Sequence, residues 1–209
     1  MLKKHLIGLI HKYNMSDLLK PDAMTDFELN IIVSQINSIN DKKVYVEIGS
    51  RYGGSLSYFG KLMPKNSKLI AIDLPNGPWG HANSEISLNG VAENLRADGY
   101  QVDLIFGNSK CKETEDRLIS SLNNQQIDIL FIDGDHSLLG VASDINMYTK
   151  YVKQGGIVIF HDCGDIKSVG TNLNAFRTMR SVRSAFDDFS YDRKKLIVQE
   201  DWGLGIVWV

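Results

Sequence analysis

The short β-branched run Val44–Ile48 carries an acid, Glu47, near its end and passes at once into Gly49-Ser50-Arg51-Tyr52-Gly53-Gly54, a turn that opens a helix at Ser55. Twenty-four residues beyond Gly49 a second apolar run, Lys68–Ile72, closes on another acid, Asp73. Strand, glycine turn, helix, strand and acid make the first half of a nucleotide-binding βαβ unit. A chain that starts this way is committed to a parallel sheet covered on both faces.

The glycine spacing selects the ligand. A dinucleotide fingerprint needs G-x-G-x-x-G, whose second glycine lets the backbone approach a pyrophosphate. Here Arg51 and Tyr52 fill the turn, and Glu47 stands two residues before the first glycine. A carboxylate there repels a pyrophosphate and suits an ammonium or sulfonium centre. Asp73 is placed to accept two ribose hydroxyls. Ribose, positive charge and no phosphate together describe S-adenosylmethionine.

From Val44 onward the pattern alternates. Strands are expected at 44–48, 68–72, 101–106, 127–132 and 156–160, and helices at 55–63, 87–98, 114–123 and 138–152. The strand runs are apolar without alternation, as parallel strands covered on both sides should be. A helix near 173–186 follows, then runs at 195–199 and 204–209 whose four-residue gap demands an antiparallel hairpin. Before Val44, the stripe Leu2, Leu6, Leu9, Ile10 and Tyr13 reads as a helix that packs on the body or on a neighbouring subunit, or forms a lid. Thr25-Asp26-Phe27-Glu28 is a capping box opening a second helix to about Ser38. The expected division is a helical extension over 1–40 and one domain over 41–209.

Candidate chemistry gathers at the carboxyl ends of these strands, where open α/β sheets bind ligands. The fourth strand runs out into Asp133-Gly134-Asp135-His136, and the fifth into His161-Asp162-Cys163. Turn formation and helix capping by Asp135 are the plainer reading of the first group. His136 is the group best suited to take a proton near neutral pH. Asp133 and Asp162 end neighbouring strands, about 4.8 Å apart, and would repel unless a cation or shared proton lay between them. A divalent ion held by oxygens would answer that. His161 is either a ligand-facing residue or a buried, satisfied histidine. The loop 74–86 breaks the rhythm with two prolines, Trp79 and His81, and is expected to wall the substrate.

Composition excludes other classes. A net charge of −2 over 209 residues leaves no footprint for nucleic acid or an anionic membrane. Cys111 and Cys163 are too few for a disulfide framework, which points to reduced thiols and a cytoplasmic setting. The apolar run Leu6–Ile10 is too short for a signal sequence or a membrane span.

The motifs VEIGSRYGGS, IAIDL, IFGNS, FIDGDHS and GGIVIFHD, in this order over Val44–Cys163, resemble the class I S-adenosylmethionine methyltransferases. Within them the chain is similar to the small bacterial group around macrocin O-methyltransferase and the cephalosporin hydroxylase-like proteins. The resemblance implies a Rossmann-like, seven-stranded, mostly parallel sheet of order 3-2-1-4-5-7-6 with helices on both faces. It implies cofactor contacts from Glu47, Gly49, Ser50, Tyr52, Gly53, Ser55, Asp73, Asn108, Ser109 and Asp133. It implies His136 as base and Asp133 and Asp162 as Mg²⁺ ligands; Trp79, His81 and His161 are expected on the acceptor side from their places in the chain. Relatives carry Asn or a second acid where Cys163 stands, and a thiol is a poor ligand for a hard cation. Asp135 or water would then complete the shell.

The expected activity is O-methylation of a small hydroxylated molecule, a sugar or secondary metabolite, with the N-terminal helices as the contact for a homo-oligomer. A nitrogen or phosphonate acceptor stays open, as does a non-catalytic protein that keeps the cofactor fold. A nicotinamide oxidoreductase shares the βαβ opening but lacks the glycine fingerprint and has the wrong ending.

Overall fold

A computed structural model describes residues 21, 24–75, 84–164, 173–198 and 202–209. Along the chain these form α1 (Asp26–Ser38), β1 (Val44–Ile48), α2 (Gly54–Gly60), β2 (Lys68–Asp73), α3 (Ser84–Ala97), β3 (Gln101–Phe106) and α4 (Lys112–Leu122). There follow β4 (Ile127–Ile132), α5 (Leu138–Tyr148), β5 (Val152–Phe160), α6 (Leu173–Asp188), β6 (Lys194–Ile197) and β7 (Leu204–Trp208). The seven strands make one sheet of order β3-β2-β1-β4-β5-β7-β6, with β7 antiparallel to both its neighbours. The order inferred from the motifs is the order observed. The stripe Leu2–Tyr13 lies outside the described residues.

Period two along each strand splits the core into two layers. Tyr45, Leu69, Ala71, Ile129, Phe131, Ile157 and Ile159 face α1, α2 and α3; Val46, Ile48, Ile70, Ile72, Leu130, Ile132 and Phe160 face α4, α5 and α6. The capping box at Thr25 forms as expected, the Thr25 hydroxyl accepting from Glu28 N and the Glu28 carboxylate from Thr25 N. Helix α1 buries Leu29, Ile32 and Ile36 in the same cluster as the central strands. That helix, counted with the expected extension, is therefore part of the core.

Several element ends lie a few residues from their expected places, and two of these shifts have a plain physical cause. The helix expected over 138–152 stops at Tyr148, a 3₁₀ turn takes Thr149–Tyr151, and β5 begins at Val152, four residues before the expected start at 156. The reason is Gly155-Gly156. Gly155 has φ +83, and a Cβ on Gly156 would lie 2.9 Å from the Asp128 carbonyl, so the pair lets β5 shift register against β4 between Ile127 and Ile129. Helix α2 ends at Gly60 instead of Met63, where tighter bonds such as Leu62 N to Phe59 O (3.0 Å) close the chain ahead of Pro64.

Candidate active site

The sheet ladder extends one step past several strands: Gly49 N donates to Ile72 O, Asp133 N to Ile48 O, Gly107 N to Asp73 O and His161 N to Ile132 O. These bonds bring four loops to one edge. Parity does the rest. Continuing Tyr45, Ala71, Phe131 and Ile159 by two places puts Glu47, Asp73, Asp133 and His161 on the face that carries α1.

On the β1–β2 side, Glu47 is fully buried; its two oxygens accept from Ser55 Oγ at 2.7 Å and Tyr45 Oη at 2.6 Å. Burial pushes its carboxyl up to about 7, against the pull of those hydroxyls. Asp73 accepts from Arg51 N at 3.0 Å, with Arg51 at φ +47, and burial raises its carboxyl above the usual range. Gly49, at φ +92, leaves no room for a Cβ, which would stand 2.1 Å from the Asp133 carbonyl. Its first task is thus the packing of the turn against the β4 loop. Gly53 at φ +85 sits at the start of α2, Ser50 is buried, and Tyr52 is part-exposed with the Arg51 guanidinium 5.1 Å from its ring centre.

The loop after β3 is tied down more than its sequence suggested. The Asn108 side-chain oxygen accepts from Lys110 N at 3.0 Å, Ser109 O accepts from Tyr148 Oη at 2.5 Å, and Lys110 Nζ pairs with Asp135 Oδ2 at 2.6 Å. Asp135 also accepts from Ser137 N, while the helix cap of α5 is Ser137, not Asp135. Asp135 therefore bridges two loops and stands outside the acid pair.

On the β4–β5 side, His136 stands between two carboxylates. Its Nε2 is 3.3 Å from Asp133 Oδ1 and its Nδ1 3.2 Å from Asp162 Oδ2. His161 Nδ1 lies 3.3 Å from the same Asp133 oxygen and 3.2 Å from Asp162 Oδ1. By parity Asp162 should turn to the opposite layer; its φ of +59 swings it back into the cluster. Burial lowers both histidines, but the carboxylates outweigh it and hold both imidazoles above their usual value, His161 far above. Burial likewise opposes the Asp133 charge, yet the two histidines keep that carboxyl below the ordinary range; Asp162, with burial and Asp133 against it, is raised.

Asp133, His136 and Asp162 each offer a ligand atom, all within 4.8 Å of one another. Cys163 takes no part: it is buried among Val207, Phe186 and their neighbours, and burial pushes its thiol far up. His161 is 3% exposed, beneath the acid pair and not on an open wall. Trp79 and His81 lie outside the described residues, as does most of the loop that follows Cys163. Two acids at this edge were missed from sequence. Glu28 read only as a helix cap, and Asp144 sat unmarked on the core face of α5.

Comparison with known proteins followed the same lines. The profile of a family described as a methyltransferase domain matches residues 46–163. An uncharacterised protein of Acanthamoeba polyphaga mimivirus, R132, is 40% identical over 130 residues, covering 61% of this chain and 54% of that protein. The chain thus spans about half the length of the curated relative it matches. A candidate caffeoyl-CoA O-methyltransferase from Staphylococcus aureus superposes with a TM-score of 0.68 at 18% identity, over 98% of this chain and 97% of that one. An O-methyltransferase from Bacillus cereus in complex with S-adenosylhomocysteine gives a TM-score of 0.60 at 12% identity, over 98% and 91%.

Proposed function

The chain belongs to the methyltransferase-domain family, and on that premise we propose that it is an S-adenosylmethionine-dependent O-methyltransferase acting on a hydroxyl of a small molecule, a sugar or a secondary metabolite. The observation that carries this reading is the division of the edge: Glu47 and Asp73 on the β1–β2 side, and Asp133, Asp162 and His136 on the β4–β5 side. One side suits a cationic nucleoside and the other a hydroxyl that must lose a proton. The acceptor class rests on the motif resemblance.

S-adenosylmethionine supplies a methyl on a sulfonium, already a strong electrophile, so the protein's work is alignment and deprotonation. Asp73, oriented by the Arg51 amide, takes the ribose hydroxyls. Glu47 lends its field to the positive sulfur, which in turn favours the charged carboxylate. As the acceptor oxygen bonds to the methyl and the carbon–sulfur bond breaks, His136, entering neutral with one ring nitrogen turned from its carboxylate to the acceptor, takes the hydroxyl proton. Asp133 and Asp162 steady the imidazolium that forms.

The residues also fit a divalent ion. Asp133, His136 and Asp162 would hold it, and two carboxylate oxygens with one imidazole nitrogen suit Mn²⁺ better than the all-oxygen shell Mg²⁺ prefers. When bound, such an ion would lower the pKa of an acceptor hydroxyl and, by occupying the His136 nitrogen, would stand in place of that residue as the group that frees the proton.

Titration calorimetry with S-adenosylhomocysteine tests the reading. We expect micromolar binding, lost in Asp73→Ala and kept in His136→Ala. Methyl transfer to a library of hydroxylated acceptors should fall in His136→Ala by roughly 10²–10⁴, the usual share of a general base. A wild type that does not bind S-adenosylhomocysteine would sink the assignment.

A further inference from the structure

Glu28 is a fully buried acid on α1, and the proposed reaction gives it nothing to do. Its Oε2 accepts from Thr25 N and Thr25 Oγ at 2.9 and 3.0 Å, the helix cap that its sequence position foretold. Its Oε1 turns the other way. That oxygen accepts from Gly203 N at 2.9 Å, across 175 residues of chain, and stands 3.6 Å from His161 Nε2. The other nitrogen of the same ring faces both Asp133 and Asp162. Carboxylates thus flank the ring on both sides, Nδ1 close to two of them and Nε2 at ion-pair distance from Glu28 without a formed hydrogen bond, so removing Glu28 leaves the buried Nε2 facing no charge.

The Gly203 contact is a second route to the same place. Cys163 N donates to Gly203 O at 3.0 Å and Gly164 N to Trp202 O at 2.6 Å, so the β6–β7 turn is stitched to the residues that follow Asp162. The turn fits this closely because residue 203, at φ +80, is a glycine; a Cβ there would lie 2.6 Å from Gly164 N. Asp162 itself is a non-glycine residue in the left-handed region, a conformation that persists only where its surroundings over-determine it. Glu28 anchors both surroundings: the His161 ring before Asp162 and the turn that pins Cys163 after it.

Resting on the methyl-transfer reading, we propose that Glu28 is a positioning residue of the acceptor site, carried into the core by α1 to hold the His161 ring and the Gly203 turn, and through them the Asp133 and Asp162 carboxylates. It touches no reacting atom. Its role resembles that of outer-shell partners, which orient the groups that do the chemistry. The helix ahead of the sheet is then a working part of the site.

The test compares Glu28→Gln, which keeps the volume and the acceptor for Thr25, with Thr25→Ala, which weakens the cap but spares Oε1. Two readouts are independent of any acceptor. In ¹⁵N-histidine NMR the wild type should show a slowly exchanging proton on the buried His161 Nε2, assigned by its loss in His161→Asn. Glu28→Gln should move it upfield and speed its exchange; Thr25→Ala should leave it in place while lowering the melting temperature. Calorimetric affinity for Mn²⁺ alone should fall roughly 10–100-fold in Glu28→Gln, the usual cost of losing an outer-shell partner, with S-adenosylhomocysteine affinity unchanged. Glu28→Asp, shorter but charged, should fall between and serves if the glutamine variant does not fold. An unmoved ring proton in Glu28→Gln, or equal loss in Thr25→Ala, overturns the proposal. Should the wild type take up no Mn²⁺, the ion is struck from the proposed function and the ring proton decides on Glu28. Failure of the methyltransferase reading appears elsewhere, as a wild type that does not bind S-adenosylhomocysteine.

Discussion

Asp144 is buried on α5 behind the β4 loop, where the Ser109 hydroxyl is near but neither carboxylate oxygen gains a well-formed hydrogen bond. Burial pushes its carboxyl up to about 7. The sign follows. A carboxyl whose folded pKa is raised binds its proton more tightly in the folded chain, so it costs nothing below the ordinary value near 3.9 and destabilises as pH rises from there to 7. Asp144→Asn removes that cost. Its unfolding free energy relative to wild type should therefore improve between pH 4 and pH 8 by on the order of 2–4 kcal/mol. A difference that stays flat with pH, measured in urea at both ends, would show that Asp144 is ionised and well partnered. The contrast with Glu115 is instructive. That acid is covered but lies just beneath the surface, where Lys150, Lys112 and the Tyr151 hydroxyl reach it, and Lys150 above all draws it down to about 2. One acid is met by two ammonium groups close to solvent, and the other lies deep with only a hydroxyl near it.

Among the elements, the turn between β1 and α2 does more than connect. Gly49 presses against the Asp133 main chain, so the loop after β1 and the acid-bearing loop after β4 are in van der Waals contact at their bases. Gly49→Ala should cost about 2 kcal/mol or more, from the left-handed φ and the collision together. A urea midpoint like that of wild type would mean the two loops part easily. The sheet edge at β3 is managed by side chains: Arg96 donates to Val102 O and Arg117 to Phe106 O, occupying carbonyls of β3 that a stray strand would otherwise use. In α1 the capping box set the helix start from four letters of sequence. The same glutamate's second contact, to a turn near the far end of the chain, could not be read from those letters.

For the molecule as a whole, the last strand is the keystone. β7 inserts between β5 and β6, and Leu204, Ile206 and Val207 are each fully buried, feeding both layers of the core. Deleting residues 194–209 should expose the edge of β5 and abolish cooperative unfolding, measured by circular dichroism against urea. A truncated chain with a wild-type transition would make the hairpin an accessory. No helix among the described residues is long and apolar enough to cross a membrane. The sequence alone determined the strand–helix alternation, the reversed final hairpin and the edge at which the acids gather, because hydrophobic period, glycine position and chain order are local properties. It also named Asp133, His136 and Asp162 as neighbours, since all three lie within four residues of the carboxyl ends of the core strands β4 and β5. Tertiary structure alone decided what those groups touch. Parity and a left-handed Asp162 bring the second acid onto the α1 face, Cys163 turns into the core, and Glu28 arrives from far along the chain. Such contacts depend on where distant backbones cross, and no local pattern encodes that.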